Sequence, residues 1–144
     1  MFKRVGNFVF TSFKYFCVFH CITEHVGVFQ CLGDSMEPSI QSGDLVFIQR
    51  FSKLFNSINN GDLVIAKSPL DDKLFILKRV KALDGQSVRR GINYQRVPRG
   101  SVWLEGDNFK VSEDSWTFGP VPKGLIYGRV VCRIWPLSNF SLKF

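Results

Sequence analysis

Histidine is nearly absent from this chain: only His20 and His25 occur in 144 residues. Any Ser-His or Cys-His mechanism must draw one of them from the N-terminal segment, which argues against a histidine general base. Cysteine is also sparse, at Cys17, Cys21, Cys31 and Cys132. Cys17 and Cys21, with His20 and His25, match no zinc-ligand spacing and sit in a phenylalanine-rich stretch. They read as small apolar helix residues, so no metal and no cofactor is expected. Acidic residues are outnumbered 12 to 19, giving a net charge of +7 and favouring an anionic partner. The cations are scattered, however, at Lys3, Arg4, Arg50, Lys53, Arg89, Arg90, Arg96 and Arg99. No base-stacking aromatics interleave with them, so a membrane surface fits better than nucleic acid. Internal repeats and low-complexity tracts are absent too.

What the chain does contain is apolar mass. A hydrophobic fraction of 45% with 15 phenylalanines supplies the core of one domain. The sequence divides near residue 32. From Phe8 to Leu32 the run is rich in Phe, Val and Cys, and its 25 residues are long enough to span a bilayer as a helix. Lys14, Glu24 and His25 interrupt it, and a charge near a helix centre costs roughly 2.5–3.5 kcal/mol. Lys14, Cys17, Cys21 and Glu24 recur at helical spacing, which gathers them on one face suited to a partner helix or an interface. Lys3 and Arg4 precede the run, while Glu24, Asp34 and Glu37 crowd its far end. That asymmetry places the N-terminus on the cytoplasm-like side and the following domain across the membrane. No h-region with a small-residue cleavage site is evident, so residues 1–32 are expected to be a retained anchor.

Beyond residue 40 the pattern changes to short strands between Gly-Asp corners. Asp44–Ile48, Asp62–Ala66, Leu74–Leu77, Ser101–Glu105 and Leu125–Val131 are runs of strand length rich in β-formers. Ser42-Gly43-Asp44, Asn60-Gly61-Asp62, Asp84-Gly85 and Gly106-Asp107-Asn108 mark turns. A mainly β sandwich or barrel-like domain over 33–144 is expected. One stretch is helical in period: Phe51, Leu54, Phe55 and Ile58, flanked by Arg50 and Lys53. It suits either a membrane surface or the domain's own sheet.

Two short stretches carry the chemistry. Gly33-Asp34-Ser35-Met36-Glu37-Pro38-Ser39 sets a serine on a glycine-containing bend, and 43 residues later Lys78 stands in Leu77-Lys78-Arg79-Val80. A serine hydroxyl needs a base to take its proton. With an ordinary pKa near 10.4, only about one lysine in a thousand is neutral near physiological pH, but burial can lower that pKa by up to about 3–5 units. On a strand, Lys78 shares a face with Leu74, Ile76 and Val80, while Arg79 points the other way. This is the pattern of a buried base beside a paired cation. A surface lysine on a strand edge is the plain alternative.

These residues resemble those of type I signal peptidases. Gly33-x-Ser35-Met36-x-Pro38-Ser39 looks like their serine box and Lys78-Arg79-Val80 their lysine box. Gly106-Asp107-Asn108, Ser112, Asp114-Ser115 and Gly119-Pro120-Val121-Pro122 look like their C-terminal box. Three flanks, Ile65–Pro69, Val102–Asn108 and Ile134–Ser138, are similar to the mitochondrial inner-membrane branch of the family.

The resemblance implies a signal-peptidase/LexA-like β-fold with an N-terminal membrane-anchoring helix. It further implies a serine endopeptidase in the mitochondrial inner membrane, its catalytic domain facing the intermembrane space. Its substrates would be precursor proteins with cleavable sorting peptides, added as an extended strand beside the site. Its other partners would be membrane lipid and a related second catalytic subunit. By the same resemblance Ser35 is the nucleophile, Lys78 the base, Ser112 the residue orienting the amine, and Asp107 the partner of Arg79. The Ser35 N–H supplies part of the oxyanion hole. Two positions depart from the pattern. Gly33 replaces a hydroxyl donor, and Trp116 replaces the arginine expected beside Asp114, leaving Arg129, Arg133 or solvent to meet that carboxylate. A LexA-like self-cleaving protein, a catalytically silent scaffold subunit and a membrane-surface binding module are the competing alternatives.

Overall fold

The computed structural model describes residues 12–16, 20, 25–50 and 58–142. Cys17, Cys21 and Glu24 lie outside the described residues, as does the amphipathic stretch 51–57. Among the described residues no helix is long and apolar enough to cross a membrane.

The strands form where β-branched and aromatic residues alternate between glycine corners. They are β1 (Val26–Gln30), β2 (Leu45–Arg50), β3 (Leu63–Lys67), β4 (Phe75–Leu83), β5 (Ser87–Arg90), β6 (Asn93–Arg96), β7 (Ser101–Glu105), β8 (Val121–Pro122) and β9 (Ile126–Trp135). One helical turn, α1 (Ser115–Phe118), precedes β8. Seven strands make one antiparallel sheet in the order β1-β2-β9-β3-β4-β7-β8, and β5 and β6 pair as a separate two-stranded ribbon. Gly43 and Gly61, with φ of +95° and +93°, turn the chain into β2 and β3 at corners where a side chain is disfavoured.

The strands expected from sequence all appear, with β4 and β9 running longer than their apolar runs. One segment behaves differently. Val26–Gln30, counted with the N-terminal helical stretch, is strand β1, paired with β2 from Val26↔Gln49 to Gln30↔Leu45. The apolar run from Phe8 to Leu32 is therefore not one helix. Val26, Val28 and Phe29 suit a pleated edge, and the open side of β2 offers them backbone partners.

The strand β3 explains how the sheet makes a core on both faces. Leu63 and Ile65 pack with Met36, Ile40, Val46, Ile48 and Val130, while Val64 and Ala66 pack with Val80, Val102, Leu104 and Val121. A continuous apolar run buried on both faces is what a central strand requires. The first cluster includes Cys31, Met36 and Ile40, so the segment bearing Ser35 is packed into the sheet instead of hanging from it. Gly128 marks a tight backbone approach between β9 and β2: a Cβ there would lie 2.7 Å from the Gln49 carbonyl oxygen. Gly128→Ala should cost about 1–3 kcal/mol through forced separation of β9 from β2, measured as a lower urea midpoint with an unchanged slope.

Candidate active site

The site is built by three segments that meet at β4. A cleft of about 220 Å³ is lined by Phe29, Cys31, Ser35, Phe75, Leu77 and Lys78 among others. The serine segment and β4 thus bring Ser35 and Lys78 to one space, with mostly apolar walls. Neither His20 nor His25, both exposed, lines it.

Lys78 is 4% exposed, an unusual state for an amine. Burial lowers its pKa below the ordinary 10.5, opposed by the charges of Asp114 and Glu113. Its Nζ donates to Ser112 Oγ at 2.9 Å. Among the described residues Ser112 is its hydrogen-bond partner, and no bond joins it to Ser35 Oγ. Cys31, the other potential nucleophile in the cleft, is held as a thiol: burial and the nearby Asp44 push its pKa up to about 11.

Arg79, next along β4, has the opposite fate. Its Nε and Nη2 reach Asp107 Oδ1 and Oδ2 at 2.8 and 2.6 Å, a two-pronged pair. Its Nη1 donates to the Gly61 carbonyl at 2.9 Å. The Asp107 hydrogen bond raises the Arg79 pKa against the effect of burial. Burial pushes Asp107 up, but hydrogen bonds from Arg79 and Ser39 carry it below the usual carboxylate value. The pair therefore stabilises the fold above about pH 3.8, and that contribution is lost as pH falls through the lowered Asp107 value.

Several positioning groups carried no role in the sequence. Asn108 clasps the serine segment twice, through its N–H to the Ser35 carbonyl at 3.0 Å and its Nδ2 to the Asp34 carbonyl at 3.1 Å. Gly106 makes room for this clasp: a Cβ there would collide with the Ser112 side chain and lie 2.6 Å from the Ser35 carbonyl oxygen. On the far side, Arg133 Nη1 bonds Asp44 Oδ2 at 2.9 Å and the Ser39 carbonyl at 3.2 Å, while Asp44 Oδ2 also accepts the Gln41 N–H at 2.9 Å. The sequence marks Gly106-Asp107-Asn108 as a turn and, by resemblance, as part of a C-terminal box, but not which backbone Asn108 clasps, because that segment is more than 70 residues away.

The structure also accounts for the two departures. Gly33 has φ of +89°, a conformation that a serine adopts only with strain, and its N–H donates to Ser42 Oγ at 3.1 Å. Asp114 meets neither candidate arginine. Arg133 pairs with Asp44, and Arg129 lies 3.6 Å from Asp62. Asp114 instead caps α1, its Oδ1 accepting the Trp116 N–H at 3.0 Å. The Trp116 indole turns away to donate to Glu105 Oε1 at 2.7 Å, an acceptor it shares with Trp103.

The family described as signal peptidase, peptidase S26, matches residues 4–93 and 90–135. The chain belongs to this family. It is similar to mitochondrial inner membrane protease subunit 1 of Homo sapiens, 48% identical over 147 residues, with 97% of this chain and 86% of the human protein covered. The Mus musculus subunit 1 is 47% identical over 139 residues, covering 90% of this chain and 82% of that protein. Subunit 2 of the Saccharomyces cerevisiae protease is 32% identical over 127 residues, covering 81% of this chain and 72% of that one.

Two substitutions test the site's construction. Gly33→Ser should lower stability by roughly 1–2 kcal/mol and improve no activity, since φ and not space sets the glycine; thermal melting and peptidase assays measure both. Gly106→Ala should leave the sheet intact, seen by unchanged far-ultraviolet circular dichroism. It should lower peptidase activity by at least about tenfold, because misplacing reacting groups costs far more in rate than in stability.

Proposed function

We propose that this protein is a membrane-anchored serine endopeptidase of the mitochondrial inner membrane. It removes sorting peptides from proteins delivered to the intermembrane space, the side its catalytic domain faces. The observation that carries this reading is the buried Lys78 amine, bonded to Ser112 and opening on the cleft that also holds Ser35. An amine whose charge is disfavoured is a base, and Ser35 is the hydroxyl that lines its cleft. The names of the similar human and mouse proteins support the location and the processing role. The yeast relative named as a second subunit supports a heteromeric partner of the same fold.

The chemistry follows from the groups present. Ser35 Oγ bonds to the scissile carbonyl carbon as Lys78 Nζ takes the hydroxyl proton. The resulting oxyanion is held by the Ser35 N–H. The C–N bond breaks as Lys78 returns the proton to the leaving amine. Water then attacks the acyl carbon, giving a proton to Lys78, and the C–Oγ bond breaks as Lys78 passes that proton to Ser35 Oγ and the product acid leaves. Ser112 keeps the amine aimed throughout, and Arg79–Asp107 holds β4 in register. The cleft walls take an extended substrate strand, and no metal or cofactor enters any step. The segment preceding β1 holds the domain to the membrane lipid.

Ser35→Ala and Lys78→Met should each abolish processing of a precursor bearing a sorting peptide. Activity of the parent should rise with pH through a Lys78 pKa below 10.5, whereas an exposed lysine base would need more alkaline conditions. Because burial lowers this pKa in the folded state, the charged amine costs stability below the unfolded value, so Lys78→Met should melt no lower than the parent at neutral pH. Processing retained by Lys78→Met overturns the mechanism and favours a silent scaffold.

A further inference from the structure

Cations that look scattered in the sequence are gathered by the fold. Between Asp84 and Glu105 the chain carries four arginines, Arg89, Arg90, Arg96 and Arg99, and no acid or lysine. All four are exposed, and the ion pairs of the described residues include none of them. Strands β5 and β6 carry three of these arginines.

The register of the ribbon sorts them by face. Val88 packs on the body against the cluster of Ala82, Val97 and Trp103. Arg90, two residues on, shares that inner face and lies 5.9 Å from the centres of both the Phe109 and Trp116 rings. The outer face therefore carries Ser87, Arg89, Tyr94 and Arg96, with Arg89 directly opposite Tyr94 and Ser87 opposite Arg96. Ser87 Oγ and Tyr94 Oη are 2.7 Å apart on this face, and Arg89 Nε donates to the Gly91 carbonyl at 2.9 Å. Like charges on one face of a four-residue ribbon repel, and an anion bound there relieves that repulsion. Guanidinium groups fit planar carboxylates in a two-pronged manner that ammonium groups cannot reproduce.

We infer that the outer face of this ribbon is a docking surface for an acidic segment of polypeptide. Its four-residue strands are about 13 Å long, the reach of an extended segment of similar length. The topology decides between a polypeptide and a bilayer. Val26, where the N-terminal segment enters the sheet, lies in one row with Gln49, Arg129, Val64 and Lys78. Strands β1 and β4 run in the same direction from that row, because four antiparallel pairings separate them. The ribbon begins beyond Leu83, about 17 Å farther along β4, away from the end at which the N-terminal segment joins. A membrane at that entry end does not meet it. Tyr94 is the single aromatic on the outer face, too little for a base-stacking platform. Through Phe109 the ribbon adjoins the corner that clasps Ser35, so a bound segment lies on the flank of the cleft. This inference does not depend on the roles of Ser35 and Lys78.

The test uses the full chain in a neutral detergent with a fluorescent oligoglutamate peptide. Binding should weaken as salt rises. The double variant Arg89→Gln/Arg96→Gln should bind roughly tenfold more weakly, and Arg89→Lys/Arg96→Lys should fall between the two because the fork geometry is lost. A control, Lys67→Gln/Lys73→Gln, removes equal charge from exposed positions at the other end of the sheet and should bind as the parent does. Equal loss in that control overturns the inference, since net charge alone would then explain binding. It is also overturned if the glutamine variant binds oligoglutamate unchanged while losing affinity for phosphatidylglycerol vesicles or oligothymidylate. Unchanged melting of all variants confirms that surface charge, and not folding, is being read.

Discussion

The organising constraint in this protein is that two adjacent cations on β4 must be treated in opposite ways. Lys78 is pressed into a space where its charge is disfavoured, while Arg79 is given a carboxylate that keeps its charge in place. A strand achieves this without any special device, because neighbouring side chains point to opposite faces. The remaining architecture follows from serving the two faces at once. One needs an apolar wall and a hydroxyl for the amine. The other needs Asp107, and Asp107 belongs to the corner that also reaches Ser35.

That corner makes the site cooperative. Gly106, Asp107, Asn108 and Ser112 span seven residues, yet between them they touch Lys78, its charged neighbour and the backbone of the serine segment. The neutral bonds among these, made by Asn108, are each worth only about 0.5–1.5 kcal/mol in stability. Their effect on geometry is larger, because each restrains a different segment relative to the same short loop. The Asp44–Arg133 pair does the equivalent work from the opposite side of the serine segment, tying it to the last long strand.

Where the chain departs from the family pattern, the departures are local repairs. Gly33 is the residue its own φ requires. Trp116 gives its backbone N–H to Asp114 and its indole to Glu105, so both carboxylates are partnered without an arginine at that position. Both adjustments use backbone conformation or capping, whose partners are near in sequence but whose geometry is not visible there.

The sequence by itself determined the β-rich class, the five longest strand runs, the pairing of Arg79 with Asp107 through the family pattern, and the pair Ser35 and Lys78 as the residues to watch. Alternation and turn chemistry act over a few residues, so they can be read from a few residues. Tertiary structure alone decided that Val26–Gln30 is an edge strand, since its backbone partners come from β2. It decided that Lys78 is buried, because covering groups arrive from residues 29–40 on one side in sequence and from Ser112 on the other. It likewise put Arg89 and Arg96 on one face, because only pairing of β5 with β6 brings them together. Burial and juxtaposition are properties of which segments meet, and a linear pattern does not contain them.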